Sequence, residues 1–162
     1  QDYHSFELNN LPSLQSIDMG DYCFRWTPSF SLADLLQLQS IILGDDTFSH
    51  VHSIVFENLP KLQSIQLDWG ALQGDIGDDR KTISTEPYNF KNTLTMRNLP
   101  SLTEFKGLKD NFENIGSVIL ENIPQLSSNG IKFGYDSFTY TYSLQSSNAT
   151  AQIGRASCRE RV

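Results

Sequence analysis

The heptad LPKLQSI, Leu59 to Ile65, has close copies at Leu11 to Ile17 (LPSLQSI) and Leu35 to Ile41 (LLQLQSI). Looser copies start at Leu99 (LPSLTEF) and Ile123 (IPQLSSN). Successive starts lie 24 residues apart, except that Leu59 and Leu99 are 40 apart, one unit plus 16. Self-similarity at a fixed period decides architecture before any local reading does. A unit of this length cannot close a core of its own. It buries its apolar side only by stacking on its neighbours, as one turn of a solenoid.

The frame continues inside each unit. Leu14, Ile17, Met19 and Phe24 recur as Leu38, Ile41, Leu43 and Phe48, and again as Leu62, Ile65, Leu67 and Leu72. The fourth copy keeps Leu102, Phe105 and Phe112, with Gly107 in place of the third apolar residue. The fifth gains two residues after Leu126 and resumes with Ile131, Phe133 and Phe138. The alternations I-x-M, I-x-L and I-x-F have period 2 and predict brief strands. A second alternation is Phe30-x-Leu32, matched by Phe6-x-Leu8, Ile54-x-Phe56, Leu94-x-Met96, Val118-x-Leu120 and, less apolar, Leu144-x-Ser146. It always ends two residues later in Asn or Asp: Asn10, Asp34, Asn58, Asn98, Asn122 and Asn148. The sequence therefore predicts a mostly β solenoid with two short strands per 24-residue repeat, little or no α-helix, and an Asn ladder along one corner. Such side chains are expected to hydrogen-bond backbone groups that the turn leaves unpaired.

The pattern L-x-x-[IF]-x-[LM]-x-x-x-x-F resembles the leucine-rich-repeat consensus L-x-x-L-x-L-x-x-N-x-[LF] over about residues 3 to 148. The consensus Asn position holds Tyr22, Asp46, Gly70, Asp110 and Asp136 instead. The second strand and the terminal Phe are similar to the BspA-like branch of that family, common in microbial and protist surface proteins. The resemblance implies a cell-surface or secreted repeat array that binds other molecules. It names no partner, because one fold hosts many functions.

The last eleven residues, QIGRASCRERV from Gln152 to Val162, break the repeat. They resemble the translation of a short-read sequencing adapter and are set apart as a non-native tail. The repeat array is then residues 1–151, expected to be a piece of a longer protein and uncapped at both ends, with end-to-end self-association as the consequence. Without Arg155, Arg159, Arg161 and Glu160, nine of the twelve basic and eighteen of the nineteen acidic residues remain, a net −9 rather than −7. That balance argues against nucleic acid as a partner and against adhesion to an anionic membrane. No apolar run reaches the roughly 18 residues of a membrane-spanning helix. Only Cys23 is left outside the tail, so no disulfide framework follows.

The insertion spans about Gln73 to Tyr88 and reads as a surface loop. Its Asp75, Asp78 and Asp79 lack the ligand spacing and closing Glu of an EF-hand. His50-x-His52 has no third ligand at recognisable spacing. No nucleophile elbow or phosphate-cradling Gly loop is present. The expectation is no catalytic residue, no metal site and no cofactor.

Recognition is left to the surface. Between the inward apolar residues of each first strand, side chains point outward. Asp18, Ile42, Gln66, Lys106 and Lys132 form one such column, and Asp21, Asp45, Trp69, Lys109 and Tyr135 form a second at the strand end. These columns vary in charge and size while the inward ones stay apolar. They are the expected face for a protein or glycan partner. A spacer or stalk in a surface protein, or a regulatory region fused to an enzyme elsewhere in a longer chain, are the alternatives.

Overall fold

The computed structural model describes residues 3–77 and 90–149. Among the described residues there are eleven strands and no helix. One sheet holds β1 (Phe6–Asn9), β3 (Ser29–Ala33), β5 (Ser53–Glu57), β7 (Asn92–Arg97), β9 (Ile115–Ile123) and β11 (Ser143–Ala149), in that spatial order. The other holds β2 (Ser16–Met19), β4 (Ser40–Leu43), β6 (Ser64–Leu67), β8 (Glu104–Gly107) and β10 (Ile131–Phe133). Every neighbouring pair is parallel. The chain is thus a parallel β-solenoid with coils of roughly 24 residues, alternating between its two sheets. The tail at 152–162 and residues 78–88 of the insertion, with Asp78 and Asp79, lie outside the described residues.

The in-register pairing places like on like. Ile17, Ile41, Ile65, Phe105 and Ile131 are direct partners along the second sheet and all are buried. Opposite them, Phe30, Ile54, Leu94 and Val118 stack in the first sheet, with Leu32, Phe56, Met96 and Leu120 beside them. The remaining inward column needs one correction. Phe48, Leu72, Phe112 and Phe138 are buried, but Phe24 is 52% exposed. It stacks on Phe48 at 5.3 Å and touches Phe6 at 4.9 Å, which covers only part of the ring.

The corners explain the residue choices between the strands. Phe24, Phe48, Leu72, Phe112 and Phe138 all have φ between 51° and 55°. Left-handed backbone is costly for any side chain and most so for β-branched ones. This column accordingly holds Phe and Leu, while the strand column beside it is mostly Ile. Core burial of a large apolar side chain offsets the backbone cost at Phe48, Leu72, Phe112 and Phe138.

The Asn corner is left-handed too, with φ from 46° to 55° at Asn10, Asp34, Asn58, Asn98, Asn122 and Asn148. Its ladder runs side chain to side chain. Asn58 Nδ2 donates to Asp34 Oδ1 at 2.9 Å, Asn98 to Asn58 at 2.8 Å, Asn122 to Asn98 at 3.1 Å and Asn148 to Asn122 at 2.8 Å. The expected bonds to backbone are not those found. The N–H groups of Asp34, Asn58 and Asn98 already donate to Glu57, Arg97 and Glu121 carbonyls on the next coil. Asn suits the corner twice over, by tolerating positive φ and by carrying both a donor and an acceptor. Asn98→Ala should therefore cost about 1–2 kcal/mol of backbone strain in addition to two exposed hydrogen bonds. Asn98→Gly, which removes the bonds but not the favourable φ, should cost less. Thermal melts of the two variants decide: equal midpoints would mean that φ is not the constraint at this corner.

Two irregularities adjust the stack. The register between β7 and β9 shifts between Asn92 and Thr93, where β9 carries one extra residue, Gly116. Around the insertion, three buried asparagines take up loose carbonyls. Asn92 Nδ2 donates to Asp75 O and Asn114 O, Asn114 Nδ2 to Gly74 O, and Asn111 Nδ2 to Asp68 O and Ala71 O.

Candidate functional site

The outward side of the second sheet carries Asp18, Ile42, Gln66, Lys106 and Lys132 as direct register partners. Asp18, Ile42, Gln66 and Lys132 are exposed, and Lys106 is half-buried beside Glu104, 3.0 Å from its carboxylate. Gln66, Asp68, Lys106, Leu108 and Lys132 line a shallow hollow of about 330 Å³. A carboxylate and two ammonium groups thus face one depression.

The strand-end column, Asp21, Asp45, Trp69, Lys109 and Tyr135, turns one corner of the coil. It divides into two chemistries. At the first coils the acids cap the corner. Asp21 Oδ1 accepts the Asp45 N–H at 2.9 Å, and Asp45 Oδ1 accepts the Trp69 N–H at 3.0 Å. Asp68 joins them, so that one carboxylate oxygen from each of Asp21, Asp45 and Asp68 lies within 4.8 Å of the others. Burial, then the charges of Asp45 and Asp21, raise the Asp68 pKa from its ordinary value. Calcium sites gather six to eight oxygens. Here two oxygens of the acidic group already serve backbone N–H groups, so its visible work is capping.

At the later coils the same column is aromatic and cationic. Lys109 Nζ sits 4.3 Å from the Trp69 ring centroid and 4.5 Å from that of Tyr135. It is 3.6 Å from Asp110 Oδ2, which also accepts Trp69 Nε1–H at 2.6 Å. A hydrogen bond to Tyr135 and the Asp110 charge raise the Lys109 pKa, so the ammonium stays charged. Trp69 is 52% exposed and Tyr135 63%.

All ten residues singled out from sequence thus fall on one sheet face and its adjoining corner. Sequence reasoning did not assign Tyr22, Asp46, Asp68 or Asp110 to this face. Tyr22, Asp46 and Asp110 stand at the consensus Asn position, where the absence of Asn was the available signal. Asp68 stands where two earlier coils have Gly20 and Gly44. His50 and His52 take separate partners: His50 meets Ser49 Oγ at 3.0 Å and the Trp26 ring, while His52 meets Asn92 Oδ1 and Asp75. Burial holds the His50 pKa below its ordinary value. Among the described residues no helix is long and apolar enough to cross a membrane.

A scan against family models, a search of curated proteins and a search of solved structures each returned no match to this chain.

Proposed function

We propose that the chain is a non-catalytic recognition module that binds a partner along the outward face of its five-stranded sheet and the corner beside it. The observation that carries this reading is the contrast between two sets of in-register columns. Inward positions stay apolar through the coils, with Gly107 the exception. The outward column changes from Asp18 through Ile42 and Gln66 to Lys106 and Lys132, while Trp69 and Tyr135 hold large exposed rings beside it. Aromatic area flanked by charge is the commonest anchor chemistry at interfaces, and the graded charge fits a partner that lies along the stack.

The leucine-rich-repeat resemblance, and within it the BspA-like branch, belongs to the same proposal, as does a cell-surface or secreted setting. The spacing of L-x-x-[IF]-x-[LM] and the coil length support it. The position after the consensus Asn departs from it: Thr47 and Asn111, one residue further on, are the ones whose side chains turn inward to backbone carbonyls.

The test is a labelled chain probed against arrays of proteins and glycans, followed by Trp69→Ala with Lys106→Ala. Losing one aromatic anchor and one cation should weaken binding at least about tenfold, with little change in melting because Trp69 is half-exposed and the Lys106 ion pair is a surface one. Unchanged binding by a folded double variant would remove the function from this face.

A further inference from the structure

At the same strand-end position one coil carries a cation and another a carboxylate. At coil four, Lys109 places its ammonium between the rings of Trp69 and Tyr135, with the Asp110 carboxylate at 3.6 Å. At coil two the register partners of that Lys-Asp pair are Asp45 and Asp46. Their flanks are again aromatic. The Tyr22 N–H donates to Asp45 O and the Asp46 N–H donates to Trp69 O, so the two rings come from the coils on either side. Tyr22, Asp45, Asp46 and Trp69 line a hollow of about 310 Å³. Tyr22 is 60% exposed and Trp69 52%.

We infer that this hollow receives the primary ammonium of a lysine side chain on a protein partner, in the manner that the chain's own Lys109 fills the box two coils away. The inference rests on the reading of this corner as the working face and names the chemistry of one subsite on it. Two physical arguments carry it. Ring faces attract a cation through their quadrupoles, and the Trp69 ring already does so toward Lys109, while Tyr22 brings a second ring from one residue beyond the column that holds Trp69 and Tyr135. The local charge is also uncompensated. Asp21, Asp45 and Asp68 gather beside Asp46, and among the described residues Arg25 is the cation in contact, reaching Asp46 at 3.5 Å and lying 5.6 Å from the Tyr22 ring centroid. One positive charge against four carboxylates leaves room for another. Carboxylates in the lining of the hollow favour a group that can donate hydrogen bonds. A primary ammonium has three donors, whereas a quaternary ammonium has none.

The experiment uses the intact chain and a blocked heptapeptide of alternating lysine and glycine, with binding followed by titration calorimetry and by the Trp69 indole NMR signal. The same peptide with glutamine for lysine, and choline chloride, are the comparison probes. Asp45→Asn with Asp46→Asn removes both charges, yet Asn keeps the oxygen that caps the Trp69 N–H and tolerates the φ of 53° at Asp46. The lysine peptide should bind the parent, shift the Trp69 signal, and bind the Asn double variant at least about tenfold more weakly, with melting unchanged. The glutamine peptide should not bind. The lysine assignment is overturned if choline binds as tightly as the peptide, if the Asn variant binds equally well, or if the peptide leaves the Trp69 signal in place. A parent that ignores the peptide yet still loses its array partner on Trp69→Ala with Lys106→Ala would sink this subsite alone and leave the wider face standing.

Discussion

Ile41→Asp is expected to abolish the folded state of the array's first coils. Ile41 is fully buried and sits in register between Ile17 and Ile65 on β2 and β6. Removing its side chain from the core forfeits about 1.5–3 kcal/mol of burial. Placing a carboxylate there adds a penalty of several kcal/mol, because its neighbours in the column, Ile17 and Ile65, are apolar and offer it no partner. The sum is comparable with the whole stability of an ordinary domain, about 5–15 kcal/mol. In a solenoid each coil is held by its neighbours, so the damage should spread outward from coil two. Hydrogen exchange should show amides of β2, β4 and β6 losing protection before those of β8 and β10. Ile41→Val is the control, at about 0.5–1.5 kcal/mol. A well-folded Ile41→Asp chain with a near-parental melting point would contradict the inward column on which the fold rests.

That column was legible because it obeys a period. Ile17, Ile41 and Ile65 recur at 24 residues, and parallel in-register stacking converts equal sequence position into equal place in space. The same rule located both outward columns, since alternation along a strand fixes which side a residue faces. It failed where chemistry is set between coils and off the frame. Phe24 shares its position with four buried residues, yet its exposure depends on how many coils cover it, which no single repeat records. The Asn ladder was foreseen, but its partners were not. Whether a corner side chain meets backbone or another side chain depends on whether the next coil has already taken the N–H groups, and here it has. Tyr22 and Asp46 escaped assignment to this face because they come from positions one residue beyond the outward column. Only the left-handed turn at Tyr22, with φ of 60°, and at Asp46, with φ of 53°, brings them beside it. Asn92 and Asn114 follow no repeat: they answer carbonyls of the insertion, Asp75 O and Gly74 O. Asn111 does keep a repeat position, the one that Thr47 holds two coils earlier.

The second large effect lies at Asn111. This side chain is fully buried, and its Nδ2 donates to Asp68 O at 2.7 Å and Ala71 O at 3.0 Å. Those two carbonyls bracket Trp69 and Gly70, the turn that presents the exposed Trp69 ring. Thr47 does a lighter version of the same work, donating Oγ1 to Gly20 O at 2.8 Å. Asn111→Ala orphans the Ala71 carbonyl at a cost of about 1–3 kcal/mol and leaves the part-buried Asp68 carbonyl with the Ala71 N–H at 3.3 Å alone, a lost bond of about 0.5–1.5 kcal/mol. The expected loss is about 2–4 kcal/mol, allowing for some relaxation, or roughly 4–16 °C in melting temperature at about 2–4 °C per kcal/mol. Asn111→Asp is the sharper variant. It keeps the shape but exchanges a donor for a buried acceptor facing two others, so it should melt at or below Asn111→Ala at neutral pH. Acidification should restore part of the difference, because a carboxyl buried against acceptors has its pKa raised and regains a donor when protonated. Binding should follow, since loosening the Asp68 to Ala71 turn lets Trp69 leave the position shared with Lys109 and Asp110. The measurement is a melting series of parent, Asn111→Ala and Asn111→Asp from neutral to mildly acidic pH, with the Trp69 signal recorded alongside. An Asn111→Asp chain as stable as the parent at neutral pH would show that these carbonyls do not depend on the donor, and the turn under Trp69 would have to be held by something else.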